Sequence, residues 1–417
     1  MITGVTTTRE HPVESGAIDL RRWPAMAAPK PAPIRAAVAR AFLSRVARRA
    51  GITMTLPDGR HFGPDRGPVL AIRNPSAFFT RLGRDGNIGF GEAFMAGDWD
   101  APDLVAVLEP IARHVASLVP RRLQGLRRFY DPRLPAGEDN NRPGARRNIA
   151  RHYDLSNDLF AAFLDETMTY SSALFAAGFD EPLATAQRRK IDRLLDVAGV
   201  GAGTRVLEIG TGWGELAIRA ARRGAQVTTL TLSTEQAMHA GHRAKAAGVA
   251  ANIDIRLQDY RDVDGAYDAI VSVEMIEAVG EKWWPTYFRT LDERLAPGGA
   301  VGLQAILMPH DRMLASKSSW TWINKYIFPG GIIMSERAIE EMLARHTSLR
   351  VTDRLRFGSS YAETLRRWRE TFASAADHVD ALGFDETFRR MWTMYLAYSE
   401  AGFRAGYLDV GQFLFRR

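Results

Sequence analysis

Apolar positions in the second half of the chain come in short uninterrupted runs separated by amphipathic stretches. The runs are TRVLEIG, AQVTTLTLS, DIRLQDY, YDAIVSVEMIE and AVGLQAIL. A run of this length without alternation predicts a strand covered on both faces, as in a parallel sheet. The stretches between them, ELAIRAARRG and residues 234–247, carry apolar residues at helical spacing. Strand and helix therefore alternate from residue 204 onward, the order of a doubly wound α/β sheet whose strand ends converge on one cleft. The first third reads differently. IRAAVARAFLSRVARRAG predicts a helix with Ile34, Val38, Phe42, Leu43 and Val46 on one face and Arg on the other. A hairpin follows, ITMTLPDGRHFG with Asp58-Gly59 at its turn, then the strand PVLAIRN. A glycine-rich loop, NIGFGEAFMAGDWD, precedes another helix. The end of the chain, from YAETLRRWRETFASAADHV to MWTMYLAYSEAGFRAGYLDVGQFLF, has apolar residues at helical spacing and predicts helices.

Composition turns this pattern into an organisation. The 417 residues suit two or three domains. Residues 1–33, rich in Thr, Pro and Ala, read as a mobile arm; 34–119 form a small basic α+β domain; 120–147, rich in Pro, Gly and Arg, form a linker; 148–417 form the larger α/β domain. The net charge of +7 is unevenly placed: the first 150 residues hold 23 Lys/Arg against 14 Asp/Glu, the rest 32 against 34. Excess positive charge in the first third suits nucleic acid or an anionic membrane surface, or simply Arg-rich helices facing water. No apolar run reaches the roughly 18 residues of a membrane span, and the first residues lack a secretory signal, so the expected location is the cytoplasm. Without cysteine there is no disulfide, thiolate metal site or cysteine nucleophile. The nine histidines show no ligand spacing, and no metal is expected.

The most specific local signal is the glycine turn after the first strand of the larger domain, GTGWGE. Gly210, Gly212 and Gly214 allow a sharp turn and close approach of a ligand, and the helix beyond offers unpaired N–H groups to an anion. Glu208, closing the strand, is placed to hold an amine or hydroxyl of the same ligand. The G-x-G-x-G spacing and the lack of an acid closing the next strand argue against a nicotinamide cofactor. By itself such a turn is weak evidence; with the strand order around it, this half resembles the class I S-adenosylmethionine-dependent methyltransferases.

A further set of motifs narrows the resemblance. HYDLSNDLF, TYSSALF, GTGWGE, TLSTEQ, LQDYRD, EMIEAVG, WINKYIFPGG and YAETL follow one another in order. Together they resemble the cyclopropane fatty acid synthase family, which transfers a methyl from S-adenosylmethionine onto the cis double bond of a fatty acyl chain. The likeness covers roughly residues 146–417. It implies cofactor contacts from Tyr170, Ser171, Gly210, Gly212, Thr231, Leu232 and Gln236, with Asp259 facing the adenine amine. It also implies that Glu277 is the active-site glutamate. Ring-forming members of that family hold a bicarbonate ion as base between a cysteine, a glutamate, a histidine, an isoleucine and a tyrosine. Here those positions are Ser172, Glu277, Gln304, Ile306 and Tyr361, and a position commonly glycine is Glu274. These departures, with EMIEAVG, YIFPGG and AYSEAGFR, resemble the branch that makes 10-methylene fatty acids, precursors of tuberculostearic-type chains.

The chemistry has a physical logic of its own. An alkene is a weak nucleophile and must be aligned with the methyl donor in a dry cleft. Attack leaves a positive charge that a carboxylate and aromatic faces stabilise, which gives roles to Glu277, Tyr361 and the Trp-rich segment after the fifth strand, an aromatic cluster that reads as core or, from its position, as a substrate lid. An immediate base closes a cyclopropane; a displaced one permits a hydride shift and yields an exocyclic methylene. Glu274 and Glu400 are the candidate bases, each with salt bridging to Arg as its plainer role. The expected substrate is an unsaturated, oleoyl-type phospholipid chain, met at an anionic membrane surface by a peripheral enzyme. The resemblance leaves open a reductase partner and homo-oligomers. The rival readings are a cyclopropane synthase with an altered bicarbonate site and an inactive lipid-binding subunit. A nucleic-acid methyltransferase is disfavoured, because no proline-aromatic target-base motif lies near the fourth strand.

Overall fold

The computed structural model describes residues 18–118, 140–153, 156–317 and 319–417. Its centre is a seven-stranded sheet whose strands run β10-β11-β9-β8-β5-β6-β7. The strands are β5 (Arg205–Ile209), β6 (Gln226–Thr231), β7 (Ile253–Leu257), β8 (Tyr267–Val273), β9 (Leu295–Leu307), β10 (Arg350–Arg356) and β11 (Asp409–Arg416). The five from β5 to β9 are parallel, so their carboxyl ends open on one edge, with β5 and β8 side by side at the reversal of strand order. Val206, Leu207 and Ile209 of β5 are buried, as an uninterrupted apolar run requires.

One correction falls at the end of the chain. DVGQFLF, expected to be helical, is strand β11, antiparallel to both β9 and β10, with Gln412 opposite Gln304. Its residues from Val410 to Phe415 are all buried, and a run apolar on both faces carries no period to separate strand from helix.

The first third folds as a second layer. Helices α1 (Pro33–Ala50), α2 (Pro75–Met95) and α3 (Leu104–Leu118) pack with a four-stranded sheet ordered β2-β1-β3-β4. Its strands are β1 (Thr53–Thr55), β2 (His61–Phe62), β3 (Val69–Ile72) and β4 (Trp99–Asp100). The Asp58-Gly59 hairpin forms between β1 and β2, with Gly59 at φ 80°. The glycine-rich stretch expected as a loop is instead the second half of α2, which continues past a break at Gly86 (φ 54°). Its glycines serve close packing: a Cβ on Gly91 would lie 2.4 Å from the Trp322 ring, and one on Gly83 2.4 Å from the Arg35 carbonyl oxygen of α1.

The expected arm is also corrected over its described part. Residues 18–32 are fastened: Trp23 donates to Asp385 at 2.8 Å, Met26 is buried, and the Arg81 guanidinium holds the carbonyls of Ala25, Met26 and Ala27. Residues 1–17 and most of the expected linker lie outside the described residues.

The next helices are α4 (Arg142–Tyr153), α5 (Asn157–Ala161), α6 (Leu183–Val197), α7 (Glu215–Arg222), α8 (Thr234–Ala246) and α9 (Trp284–Arg294). They are followed by α10 (His310–Ser316), α11 (Trp322–Tyr326), α12 (Glu336–His346), α13 (Gly358–Ser374), α14 (Ala376–Ala381) and α15 (Glu386–Arg404). α13 and α15 pack against each other, and α15 also packs on α2 and α3. One aromatic-rich core therefore runs from Phe78 and Trp99 through Phe160 and Phe163 to Trp368 and Trp392. Among the described residues no helix is long and apolar enough to cross a membrane.

Candidate active site

The glycine turn joins β5 to α7. Gly210, Gly212 and Gly214 all have positive φ (103°, 52° and 91°), a conformation that L side chains resist. A Cβ on Gly214 would meet Ala240 of α8 at 2.9 Å, whereas one on Gly212 would meet nothing within 4 Å. Gly214 is thus needed for packing, and Gly212 faces open space where a ligand's backbone-close group would lie. Glu208 is buried and accepts a 2.5 Å hydrogen bond from Thr229, whose hydroxyl also meets Thr211. Burial pushes its pKa up to about 8. On the neighbouring strand, Thr231 donates to Gln236 at 3.0 Å, and Ser233 caps α8 by accepting from the Gln236 N–H. Leu232 lies between them, half-buried.

Asp259 follows β7 and is already engaged. Both of its oxygens accept from the Arg261 guanidinium, at 2.8 and 2.6 Å, and Arg261 lies over the Trp283 ring. Any adenine amine would share this carboxylate with Arg261.

The reacting side gathers residues far apart in sequence. Glu274, just past β8, is the centre. Its Oε1 accepts from the Ser172 N–H at 2.9 Å and the Gln304 amide at 2.8 Å, and its Oε2 accepts from the Tyr361 hydroxyl at 2.7 Å. Its backbone has φ 50°, uncommon for a residue with a side chain and costing on the order of 1 kcal/mol. Three residues on, Glu277 accepts from the Ile306 N–H at 2.6 Å through Oε1, while Oε2 is buried with no hydrogen-bond partner. Burial, and then the charge of Glu274, push the Glu277 pKa to about 8. Glu274 is also raised by burial, opposed first by Lys190 and then by the hydrogen bonds from Tyr361, Gln304 and Ser172. Burial lifts the Tyr361 phenol well above its ordinary value, with Glu274 adding to it.

Aromatic rings wall this pair of acids. The Tyr361 ring lies 4.4 Å from Phe403 and edge-on to Trp368. The Tyr170 ring lies tilted against Trp368 at 5.3 Å, and its hydroxyl meets the Tyr395 hydroxyl at 2.6 Å. Ser171 is buried, and its hydroxyl accepts from Lys190 at 2.6 Å.

Two candidates take the plainer of their two readings. Glu400 does not join this group; fully buried on α15, it pairs with Arg369 and Arg404, each at 2.8 Å. The segment read as a lid is pinned to α2: Trp322 is buried against Gly91, and Lys325 and Tyr326 both bind Glu92. Two polar residues that the chain pattern did not single out, Lys190 and Gln412, are buried against the group. On α6 the signal was present in phase alone: Lys190 stands four before Leu194, on the same stripe as Gln187, Ile191 and Leu194, all buried.

The model of the family described as mycolic acid cyclopropane synthetase matches residues 140–413. The chain is 54% identical over 409 residues to the tuberculostearic acid methyltransferase UfaA1 of Mycobacterium tuberculosis, covering 95% of this chain and 96% of that protein. It is 34% identical over 351 residues to the cyclopropane-fatty-acyl-phospholipid synthase of Escherichia coli, covering 84% and 87%. The solved structure of mycolic acid cyclopropane synthase CmaA1 complexed with SAH and CTAB aligns with a TM-score of 0.60 at 30% identity, covering 65% of this chain and 98% of that one.

Proposed function

The chain belongs to the mycolic acid cyclopropane synthetase family of S-adenosylmethionine-dependent fatty acid methyltransferases, and from that premise we propose that it converts an oleoyl-type phospholipid chain into a 10-methylene chain. The observation that carries the reading is the hydrogen-bonded Glu274. The resemblance assigns the positions of Ser172, Gln304 and Tyr361 to the binding of a bicarbonate base. Here the same three residues bind the carboxylate of Glu274 instead. A base carried by the protein takes the place of a diffusible one. UfaA1, which shares more than half of its residues with this chain, is named for the branched product rather than the ring.

In this reading Gly210, Gly212, Thr231, Leu232, Gln236 and Glu208 hold the cofactor, with Tyr170 and Ser171 beside it and Asp259, shared with Arg261, at its adenine. Bound there, S-adenosylmethionine supplies an electrophilic methyl carbon. The open oxygen of Glu277 and the rings of Tyr361 and Trp368 face the positive charge that forms on the acyl chain. A hydride shift from the methylated carbon moves that charge onto it. Glu274 then takes a proton from the new methyl, and the electron pair of that C–H bond forms the exocyclic double bond.

Three experiments test the reading. Mass spectrometry of oleoyl phospholipid treated with the purified enzyme should show a methylene branch, with turnover independent of added bicarbonate. A bicarbonate-stimulated cyclopropane product would overturn it. Gly212→Val should abolish S-adenosylmethionine binding by calorimetry in a folded protein, whereas unchanged affinity would move the cofactor site elsewhere.

The third concerns the membrane. On α1, Ile34, Val38 and Phe42 are 81%, 64% and 45% exposed on one face, and Arg45, Arg48 and Arg49 continue the exposed side. The helix contains no acidic residue. This face is our candidate for peripheral docking on anionic lipid. Co-sedimentation with anionic vesicles should weaken in salt, since exposed charges are screened over about 8 Å at physiological ionic strength. Equal binding to neutral vesicles at high salt would remove the electrostatic part.

A further inference from the structure

Lys190 is a long cationic side chain with no exposed surface, inside a site whose reaction as proposed needs a negative base. Its ammonium donates to the Ser171 hydroxyl at 2.6 Å, and the next residue, Ser172, donates its N–H to Glu274 Oε1 at 2.9 Å. Its backbone carbonyl accepts from the Gln412 amide at 2.9 Å. That amide also donates to the Gln304 carbonyl oxygen at 3.1 Å, and Gln304 donates to the same Oε1 at 2.8 Å. Two routes thus join one residue to one carboxylate oxygen: the first runs from the ammonium along the backbone from Ser171 to Ser172, and the second runs from the backbone carbonyl through Gln412 and Gln304. We propose that Lys190 is a positioning residue for the reaction, a buried counter-charge that keeps Glu274 ionised and turned toward the acyl chain. The proposal rests on the reading of Glu274 as the base.

The physical need is plain. A carboxylate drawn out of water drifts toward its neutral form, which cannot take a proton. Three neutral donors help it, but Lys190 is the leading influence against burial. In return Glu274 and then Asp165 oppose the burial that draws Lys190 down to about 8. The groups facing the pair are Tyr361 from α13, Gln304 from β9, Gln412 from β11, Ser171 and Ser172 from the loop before α6, and Glu277 three residues on. Asp165 also acts on Lys190, with one oxygen buried and without a hydrogen-bond partner. Among the described residues, Lys190 is the cation that acts on Glu274.

The test uses the full chain and methyl transfer to oleoyl phospholipid, read by mass spectrometry across pH. Lys190→Met keeps the length and removes the charge. It should lower kcat about a hundredfold, move the acidic limb of kcat/KM to higher pH, and leave S-adenosylmethionine affinity within threefold by calorimetry. Glu274→Gln tests the underlying reading: if it turns over like wild type, Glu274 is not the base and both ideas fall. If Glu274→Gln is slowed to a low but measurable rate, the double variant isolates Lys190. In the Glu274→Gln background, adding Lys190→Met should cost less than a further threefold, because no charge remains to hold. An equal loss in both backgrounds, or an unmoved acidic limb in Lys190→Met, overturns the proposal. Should Lys190→Met fold poorly, Lys190→Gln supplies the reading with the same expectation, and an acidic limb of kcat/KM that stays at its wild-type pH overturns the proposal.

Discussion

Glu274, half-buried, and Glu400, fully buried, are both acids held inside the carboxyl half of the chain, and their surroundings are opposite. Glu400 lies inside helix α15 and meets two guanidinium groups. Glu274 lies outside regular structure at φ 50° and meets an N–H, an amide and a phenol, with its one cation reached through Ser171. Guanidinium groups at contact distance neutralise a carboxylate and fasten it. Neutral donors orient a carboxylate without consuming its charge. The first arrangement holds two helices together, whereas the second keeps an acid available for chemistry. Backbone strain points the same way, since a costly conformation persists where function requires it.

The largest expected effect separates the two in catalysis. Glu274→Gln should lower kcat by roughly 10²–10³, the scale of losing a positioned acid–base group. Glu400→Ala should leave kcat within threefold per folded molecule. Single-turnover methyl transfer measures both, and a dead Glu400→Ala that melts like wild type would reverse the assignment.

The next effect separates them in stability. Removing Glu400 leaves Arg369 and Arg404 without their buried partner. Because both guanidinium groups reach solvent in part, the cost should be about 2 kcal/mol, below the loss seen for fully buried pairs. Chemical denaturation checks this.

These contrasts also show what the sequence could convey. The cofactor half was legible because its parts are neighbours in the chain: strand, glycine turn and helix occupy residues 204–222, and backbone geometry does most of the work. The reacting half joins Ser172, Glu274, Gln304 and Tyr361, and the links span 102, 30 and 87 residues. No local pattern encodes those contacts. Only the resemblance placed the four together, and it could not say that Glu274 would occupy the centre. Glu400 and Glu274 were equal candidates on sequence, because the Arg partners of Glu400 lie across a helix seam and one turn along a helix. Lys190 was hidden in the basic run RRK, where charge suggests a solvated face and only helical phase reveals burial. The glycines of α2 misled for the converse reason: Gly89 and Gly91 serve contacts with Arg81 and Trp322 that only the tertiary structure contains.

A third effect belongs to Glu277, the neighbour of Glu274. Its folded pKa, about 8, lies above the ordinary 4.5, and Glu208 is raised to the same value. The folded protein therefore binds more protons than the unfolded chain between about pH 4.5 and 8. Stability of the free protein should fall as pH rises through that window. Glu277→Gln should remove one proton from the difference, flattening the slope by up to about 1.4 kcal/mol per pH unit. Denaturant midpoints at pH 5.5, 6.5 and 7.5 measure the slope, and an unchanged slope in the variant would show that Glu277 ionises freely.

The smallest effect returns to the backbone, where the two acids should differ in sign. At Glu274, Glu274→Gly and Glu274→Ala both remove the carboxylate and take the same negative charge away from Lys190. Only glycine accepts φ 50° without strain, so the glycine variant should be the more stable by about 1 kcal/mol. At Glu400 the helical backbone favours alanine, and Glu400→Gly should be the less stable by about 1 kcal/mol. Each pair cancels the lost charge and isolates the conformation. If alanine is preferred at both sites, Glu274 carries no backbone strain, and its role in the site must then rest on its hydrogen bonds alone.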